Sequence, residues 1–407
     1  MVFVLVRRHD VQLSAPTYDR VSGANRSGVL ATNVRARRRC SCLRCNHEAS
    51  IFYALLLEFK KKQSTVTILV NAYSTLLDPT PLVFDHNLRG QRDRSDVELP
   101  DHLNGFIGFI MDSGNREMTP SLYAVMRHLQ RVHHHYSFEV EESELDALST
   151  WGWQSNSIFF MTDSTVRDPD GAVLVAPDSG LPEDEAQIPF PADARARKLR
   201  SIEQLTSRGI ETPDMLPPVL GEDEVVLRAA DEVAWRALAL FIVAVRAESL
   251  ATKRTIPVDQ LRQKSPMAFE SLSPAEHAFM NDPNPAEELV VSMSWRYECL
   301  YVLQWALCFH EELSFADNIC DVPLVAETMV GRDDRQIINM ARLRPVTQLL
   351  DALDMNQRML WMARQAHIDG TDLSSKLEGG VVAERQHALN WLVRFENTDW
   401  DEVDTPS

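Results

Sequence analysis

The stretch SWRYECLYVLQWALCFHEEL, residues 294–313, is long enough for a helix and carries one carboxylate among aromatic side chains. Wound at about 100° per residue, it places Glu298 on the face of Trp305, among apolar neighbours. Arg296 and Gln304 fall on a separate face, which we take as the solvent side. The pattern therefore predicts that Glu298 points into the protein.

Two further helical stretches each carry one charge on an apolar face. Arg236 falls beside Leu240, and Arg385 falls beside Leu389. An isolated buried charge is very costly, so buried charges occur in pairs. We therefore predict that Glu298 meets Arg236, Arg385 or both in the interior. A carboxylate flanked by guanidinium groups stays ionised, which favours a structural anchor over a general base, with a catalytic site as the alternative.

Length and charge limit the classes of function. A chain of 407 residues is too long for one ordinary core, which predicts two domains. The formal net charge is −18, but residues 1–65 carry +8, leaving −26 for the remainder. A body this acidic repels phosphate backbones and anionic lipid. We expect no nucleic-acid binding by residues 66–407 and no membrane association.

The apolar stretches and the cysteines indicate the compartment. No apolar run approaches the roughly 20 residues that a membrane helix needs, and the N-terminal stretch lacks the pattern of a signal peptide. Six cysteines in a chain of this length do not form a disulfide framework. These features predict a reduced, cytoplasmic protein.

The N-terminal segment, residues 1–65, has no clear hydrophobic period and is rich in arginine. We expect it to be a disordered arm or the product of a start codon chosen too far upstream. Its Cys40, Cys42, Cys45 and His47 are residue types that zinc prefers. Their spacing fits no common zinc finger and no second ligand pair follows, so we predict no metal there.

Residues 66–180 mix strand and helix patterns, which predicts a small α/β sandwich with helices on one face of a sheet. The predicted strands are TILVNAYS (67–74), NGFIGFIMDSG (104–114), YSFEVE (136–141), NSIFFMTD (156–163) and GAVLVAP (171–177). The predicted helices are TPSLYAVMRHLQRV (119–132), with a Thr cap followed by Pro, and ESELDALSTWGW (142–153).

A run rich in proline and acidic residues, 181–193, predicts a linker or a wrapping loop. Residues 194–407 then show helical patterns and no convincing strand, which predicts a larger all-α domain. The predicted helices cover about 193–208, 230–250, 273–281, 285–313, 335–341, 345–368 and 380–396. The fold class is therefore α+β, with the small α/β sandwich first.

Four histidines, His128, His133, His134 and His135, cluster near the end of a predicted helix. Two of them could chelate a metal if a carboxylate or thiol converged from elsewhere. Ordinary helix-end histidines, favoured there as cations by the helix dipole, are the preferred interpretation.

No nucleotide-binding glycine loop, nucleophile elbow or zinc-protease helix is present in the sequence, and no cofactor is predicted. The preferred function is a non-catalytic binding protein whose helical domain offers a groove to a protein or a small ligand. The alternative is a hydrolase that uses a polar cleft lined by Glu298, Glu384, His387 or Asn390. A solvent-open pocket with these side chains would favour the enzyme, and a sealed cluster the binding protein.

The helical half resembles the family of the domain of unknown function 4272. The stretches that carry the resemblance are LRAADEVAWRALALFIVAVRAES, LSPAEHAFM, WRYECLYVLQWALCFHEELSFADNICDVP, ARLRPVTQLLDALDMNQRMLWMARQAHIDG and GVVAERQHALNWLVRFENTDWDEVDT. They run in order over roughly 195–405, and residues 67–180 look like the N-terminal partner domain of some members. The resemblance implies a two-domain intracellular protein and little about function. Cys308 stands where the family has glycine, which argues against a tight turn after Leu307.

Overall fold

The computed structural model describes residues 66–371 and 376–406. The segment 1–65, with its predicted disorder and its Cys40, Cys42, Cys45 and His47, lies outside the described residues.

The N-terminal part of the described chain is a six-stranded sheet. The strands are β1 (Thr67–Ser74), β2 (Asn87–Asp93), β3 (His134–Glu141), β4 (Ser157–Met161), β5 (Val166–Arg167) and β6 (Val173–Val175). Their order is β2-β3-β1-β4-β5-β6, and every neighbouring pair is antiparallel. The central strand β1 therefore has partners on both sides, which satisfies its backbone groups.

Three helices cover this sheet: α1 (Leu99–Ile110), α2 (Pro120–Gln130) and α3 (Leu145–Gln154). Tyr73 of β1 packs in one core with α1 and α2, whereas Val70 and Ala72 pack in another with Trp151 of α3. Successive strand residues point to opposite faces, so β1 buries both of them. The prediction of helices on one face was wrong, because α3 lies on the other.

The stretch NGFIGFIMDSG, which the sequence predicts to be a strand, lies mainly in α1. Its helix starts after Glu98 with Pro100 in the first turn, and its buried residues recur at helical spacing: Leu99, Leu103, Phe106 and Ile110. The apolar run was short enough to fit either structure. Strand β2, NLRGQRD, was missed because its side chains are almost all exposed and it is held by backbone pairing with β3.

The predicted cap of α2 is confirmed. Thr119 accepts a hydrogen bond from the backbone N–H of Leu122 at 3.1 Å, and Pro120 opens the helix. This cap satisfies one of the N–H groups that a helix start leaves unpaired.

Residues from 192 onwards form helices, and no strand follows β6 within the part of the chain that is described. The helices are α4 (Ala192–Ser207), α5 (Ala230–Ala251), α6 (Val258–Lys264), α7 (Pro266–Glu270), α8 (Pro274–Asn281), α9 (Glu287–Ser294), α10 (Arg296–Ala306), α11 (Val322–Met329), α12 (Asp334–Met340), α13 (Val346–Asp369) and α14 (Gly379–Leu392). The α+β class is confirmed. Helices α6, α7 and α11 were missed, and the predicted helix 285–313 is two helices that end at Ala306.

Helix α10 lies at the centre of the helical half, and residues 297–306 are all buried. Gln304, which the helical wheel placed on the solvent side, is 0 % exposed. Its Nε2 donates to the carbonyl of Val325 at 3.0 Å, and its Oε1 is 2.6 Å from Nε2 of His310. The prediction was wrong because α11, which covers this face, was not recognised.

A buried carboxylate, Glu224, connects the sheet with the helices. It accepts hydrogen bonds from the Thr75 hydroxyl, from Asn156 Nδ2 at 3.0 Å and from Arg131 Nη1 at 3.2 Å. It also accepts from the backbone N–H of Gly221 at 2.7 Å. Because its donors come from the ends of β1 and α2 and the start of β4, this one side chain aligns the segment before α5 with the sheet.

The run 181–193 has no regular structure before Ala192, and its first residues are exposed. Ala186 and Ile188 then pack against the core between the sheet and α1 and α2. Asp168 Oδ2 accepts from the backbone N–H of Gln187 at 2.9 Å. This part of the run therefore wraps onto the sheet. The division into domains at 181–193 remains a proposal.

The turn after α10 forms although glycine is absent. Cys308 adopts a left-handed conformation with φ of 63°, and the backbone N–H of Phe309 donates to the carbonyl of Gln304 at 2.9 Å. A residue with a Cβ is strained in this region, whereas glycine is not. The expectation of no tight turn was wrong: the turn forms with a strained backbone at Cys308.

Cys308→Gly should therefore stabilise the protein. Relief of the left-handed strain exceeds the extra entropy of an unfolded glycine, which gives a gain of about 0.5–1 kcal/mol. The measurement is the urea midpoint of the variant against wild type. Ser292→Gly, on the exposed face of α9 with helical geometry, is the control and should lose about 0.5–1 kcal/mol. A Cys308→Gly protein less stable than wild type would contradict the strain.

Candidate functional site

Glu298 forms a buried ion pair with Arg385. Arg385 Nε donates to Glu298 Oε2 at 3.1 Å, and each residue is 2 % exposed. The other carboxylate oxygen accepts from the backbone N–H of Cys320. Arg385 also donates to the carbonyl of Ser314 and lies 5.4 Å from the ring centre of Tyr301. The pair thus ties α10 to α14 and to the loop that leads to α11.

Arg236 lies in a different pair, so the structure divides the predicted cluster of three charges. Its guanidinium donates to Glu276 of α8, with Arg236 5 % and Glu276 1 % exposed. Burial lowers the pKa of Arg236, while the charge of Glu276 raises it. One signal for Glu276 is visible in the sequence. The stretch SPAE marks a capping box, and Glu276 Oε2 accepts from the backbone N–H of Ser273 at 2.9 Å.

The three secondary candidates, Glu384, His387 and Asn390, lie on α14 and have separate partners. Glu384 pairs with Arg296 at 2.8 Å. Asn390 donates to the carbonyl of Asp404 at 2.8 Å. His387 packs edge-on against Trp400, with ring centres 4.5 Å apart.

Two side chains in this region, His387 and Cys299, are poorly suited to hydrolysis. Burial lowers the pKa of His387 to about 4, so it is neutral at pH 7. Its Nε2 has no hydrogen-bond partner among the described residues. The Cys299 thiol donates to Glu384 Oε2 at 3.1 Å, and burial raises its pKa far above the usual value. A buried thiol that stays protonated is a poor nucleophile.

The pairs Arg296–Glu384 and Arg236–Glu276 form a polar interior beside α14. The sequence did not predict this arrangement. Arg296 lies within the electrostatic influence of both Glu384 and Glu276, and together with Arg236 these groups carry no net charge. Five buried atoms here have no hydrogen-bond partner among the described residues: Arg236 Nε, Glu276 Oε1, Arg296 Nε, His387 Nε2 and Trp400 Nε1. A native structure usually satisfies such atoms, so this region is a costly part of the helical core.

The four clustered histidines do not converge. His128 is in α2, whereas His134 and His135 are in β3, and each ring binds a different group. His128 Nε2 is 3.0 Å from the carbonyl of Tyr73, His134 Nε2 is 2.9 Å from that of Leu77, and His135 Nε2 is 3.3 Å from Asn71 Oδ1. Among the described residues, no group of three or more potential ligands could hold a metal ion.

Nor are His128, His133 and His135 cations stabilised by a helix end. Burial lowers the pKa of His128 and His135 to about 3 and that of His133 to about 4. They are therefore neutral groups packed between the sheet and its helices. The helix-end placement holds for His128, which lies in the last turn of α2, and was wrong for His134 and His135, because the strand begins two residues earlier than the sequence indicated.

Two solvent-open cavities lie away from the buried charges. The first has a volume of about 590 Å³ and lies over β1, β2 and β3 beside the start of α1; we call it the sheet cleft. The second has a volume of about 380 Å³ and lies between the turn after α10 and the helices α11 and α12; we call it the helical groove. Each volume is within the usual range for a ligand pocket.

The fold and these sites define a class of protein: an antiparallel sheet with helices on both faces, followed by a helical part held by buried ion pairs. The model of the family described as "Domain of unknown function (DUF4272)" matches residues 197–403, and the chain belongs to this family. The resemblance seen in the sequence is confirmed. Comparisons with curated proteins and with solved structures gave no match.

Glu298→Ala should destabilise the protein strongly. It leaves Arg385 buried without its carboxylate, and breaking one side of a buried pair costs about 3–5 kcal/mol. Glu298→Gln should cost less, because it keeps the shape and some hydrogen bonding. The measurement is the urea midpoint of each variant. Glu203→Ala, on the exposed face of α4, is the control and should change stability by about 0.5 kcal/mol or less. An alanine variant as stable as wild type would refute the anchor.

Acid should destabilise the fold through its buried histidines. The folded pKa values of His128, His133, His135 and His387 lie at about 3–4, below the value of 6.5 for an unfolded histidine. The unfolded chain therefore binds more protons below pH 6.5. The stability is fully present above that pH and is lost as the pH falls towards the folded values, by about 1.4 kcal/mol per pH unit for each group.

The test is the urea midpoint measured from pH 7 to pH 5. His128→Gln removes one of these groups and should reduce the slope of stability against pH, whatever its effect at pH 7. His277→Gln, at an exposed position, should leave the slope unchanged. A slope that His128→Gln does not alter would show that His128 is not protonated on unfolding.

Proposed function

We propose that this protein is a non-catalytic binding protein, and that its helical part receives an apolar segment of a partner protein in the helical groove. The observation that carries the proposal is the contrast between this groove, which is open and has large apolar side chains in its lining, and the candidate catalytic charges, which are buried in pairs. Such charges support an anchoring role over chemistry.

The groove has an apolar floor and a polar rim. Phe309 and Ile337 lie at its base, and Leu324 and Met340 line it with exposed fractions of 48 % and 50 %. Val330, the residue that follows α11, is 64 % exposed. Large apolar side chains that are exposed together typically mark a protein–protein interaction site. Methionine adapts its shape to different contacts, which favours a partner side chain at Met340.

The polar rim gives the groove an orientation. Glu327, Thr328 and Arg332 are the polar residues of its lining, and Arg332 donates to the carbonyl of Thr328. An apolar floor with charged edges suits an amphipathic segment, whose apolar face enters the groove while its polar face stays in water. A partner segment fits this pattern better than a small apolar molecule, since the exposed Leu324 and Met340 come from two different helices, α11 and α12.

The groove is held by the buried network around α10. Gln304 fixes α11 through the carbonyl of Val325, and the left-handed Cys308 directs the chain so that Phe309 lines the cavity. The groove is therefore largely formed before a partner binds, which lowers the entropy cost of binding.

The charge of the protein and its free thiols support a cytoplasmic binding protein. The −26 charge of residues 66–407 disfavours nucleic acid and anionic lipid as partners. No helix in the described part of the chain is long and apolar enough to cross a membrane. Cys299, Cys308 and Cys320 are free thiols, as expected for the reducing cytoplasm that we propose.

The test compares what the tagged protein retains from cells that express it natively. Leu324→Glu and Met340→Glu place charge on the exposed apolar lining of the groove and should each lower retention of a specific partner at least about tenfold. Leu199→Glu, on the surface of α4 at 66 % exposure, is the matched control and should retain it like wild type. The proposal is overturned if both groove variants retain the partner as wild type does. It is also overturned if wild type retains no protein that the groove variants lose.

A further inference from the structure

The sheet cleft is lined by polar side chains at a place where a sheet usually packs apolar ones. Its floor consists of two rows across β2, β3 and β1. One row is Arg92–His135–Tyr73, and the other is Gly90–Ser137–Asn71. Apolar side chains dominate the neighbouring core beneath α1 and α2, so the change to polar residues is local.

A glycine and a β-bulge leave open space above the second row, Gly90–Ser137–Asn71. A Cβ added at Gly90 would meet no heavy atom within 4 Å, so the space above it is open. The register of β2 against β3 shifts between Leu88 and Gly90, which leaves Arg89 as an extra residue. Bulges of this kind re-aim side chains and are frequent beside functional sites. Arg89 also lines the cleft, and its Nη2 pairs with Glu139 Oε2 at 2.7 Å.

Charges of both signs line the wall at the start of α1. Arg92 Nε is 3.7 Å from Asp96 Oδ2, and its Nη2 is 3.7 Å from Glu98 Oε2. Both distances exceed a hydrogen bond, and no hydrogen bond of the Arg92 guanidinium occurs among the described residues. Its planar fork is held only by these two long ion pairs, so its N–H groups can donate to a ligand carboxylate, and the two acidic side chains beside it can accept from a cation.

The floor supplies neutral hydrogen-bonding groups. His135 is 3 % exposed, and its Nδ1 has no partner among the described residues. Its ring stacks on that of Tyr73, with centres 4.8 Å apart, and is tilted against that of His102, with centres 4.5 Å apart. Burial and the charge of Arg92 lower the pKa of both histidines, so neither adds positive charge at pH 7. The lining thus presents cationic and anionic groups side by side over a flat, neutral surface.

We propose that the sheet cleft binds a small zwitterion of the α-amino acid type. The ligand carboxylate lies against the Arg92 guanidinium, and its ammonium group lies against Asp96 and Glu98. A plain anion is disfavoured by those two carboxylates, and a plain cation by Arg92. The open space over Gly90 receives the ligand's side chain. This site is distinct from the helical groove, and its residues belong to the sheet.

The experiment is isothermal titration of the full chain with each standard α-amino acid at pH 7. Acetate, methylamine and inorganic phosphate serve as probes that carry only one kind of charge. At least one amino acid should bind at concentrations up to about 10 mM, and at least about tenfold more tightly than any single-charge probe. Arg92→Gln should weaken this binding at least about tenfold, because it removes a charge-assisted bidentate contact.

Gly90→Leu separates the shape of the site from its charge. It fills the space above the floor without altering any charged group, and it should also weaken binding at least about tenfold. Arg200→Gln, which changes an exposed arginine paired with Asp351, is the control and should bind like wild type. The proposal is overturned if no amino acid binds wild type, if acetate or phosphate binds as tightly, or if Arg92→Gln and Gly90→Leu leave the affinity unchanged.

Discussion

The burial of helix α10 on every side is the constraint on which the helical half depends. A helix surrounded by protein has no solvent face for its polar side chains, so each of them needs an internal partner. Glu298 meets this requirement through Arg385 and the backbone of Cys320, and Gln304 through Val325 and His310. The positions of α14, of α11 and of the loop between α10 and α11 follow from these contacts.

The same constraint explains why the buried charges form pairs and not one cluster. Helix α5 presents Arg236 to α8, where the capping-box residue Glu276 is already held at the helix start. A single carboxylate between two arginines would leave one positive charge in excess inside the protein, which is more costly than two neutral pairs. The sheet half uses the same principle at its junction with the helices, where Glu224 is surrounded by four donor groups.

The two proposed binding sites lie on surfaces that the buried ion pairs leave open. The helical groove is apolar and the sheet cleft is polar, so they suit different kinds of ligand. Both are formed where a regular element is interrupted: the groove follows the left-handed turn at Cys308, and the cleft lies over the bulge in β2. Irregular backbone of this kind is a recurrent feature of binding sites.

The sequence by itself determined the α+β class, the family, and most helices of the second half, because helical periodicity and caps such as those at Thr119 and Ser273 are local signals. It also marked Glu298, Arg236 and Arg385 as inward-facing, since the spacing of apolar residues along one helix is enough to show this. Only the tertiary structure decided which charge meets which, that Gln304 is covered by α11, and that α1 is a helix where a strand was expected. These outcomes depend on elements far apart in the chain. The sheet cleft was invisible for the same reason, because its two rows join residues of three strands that only the fold brings side by side.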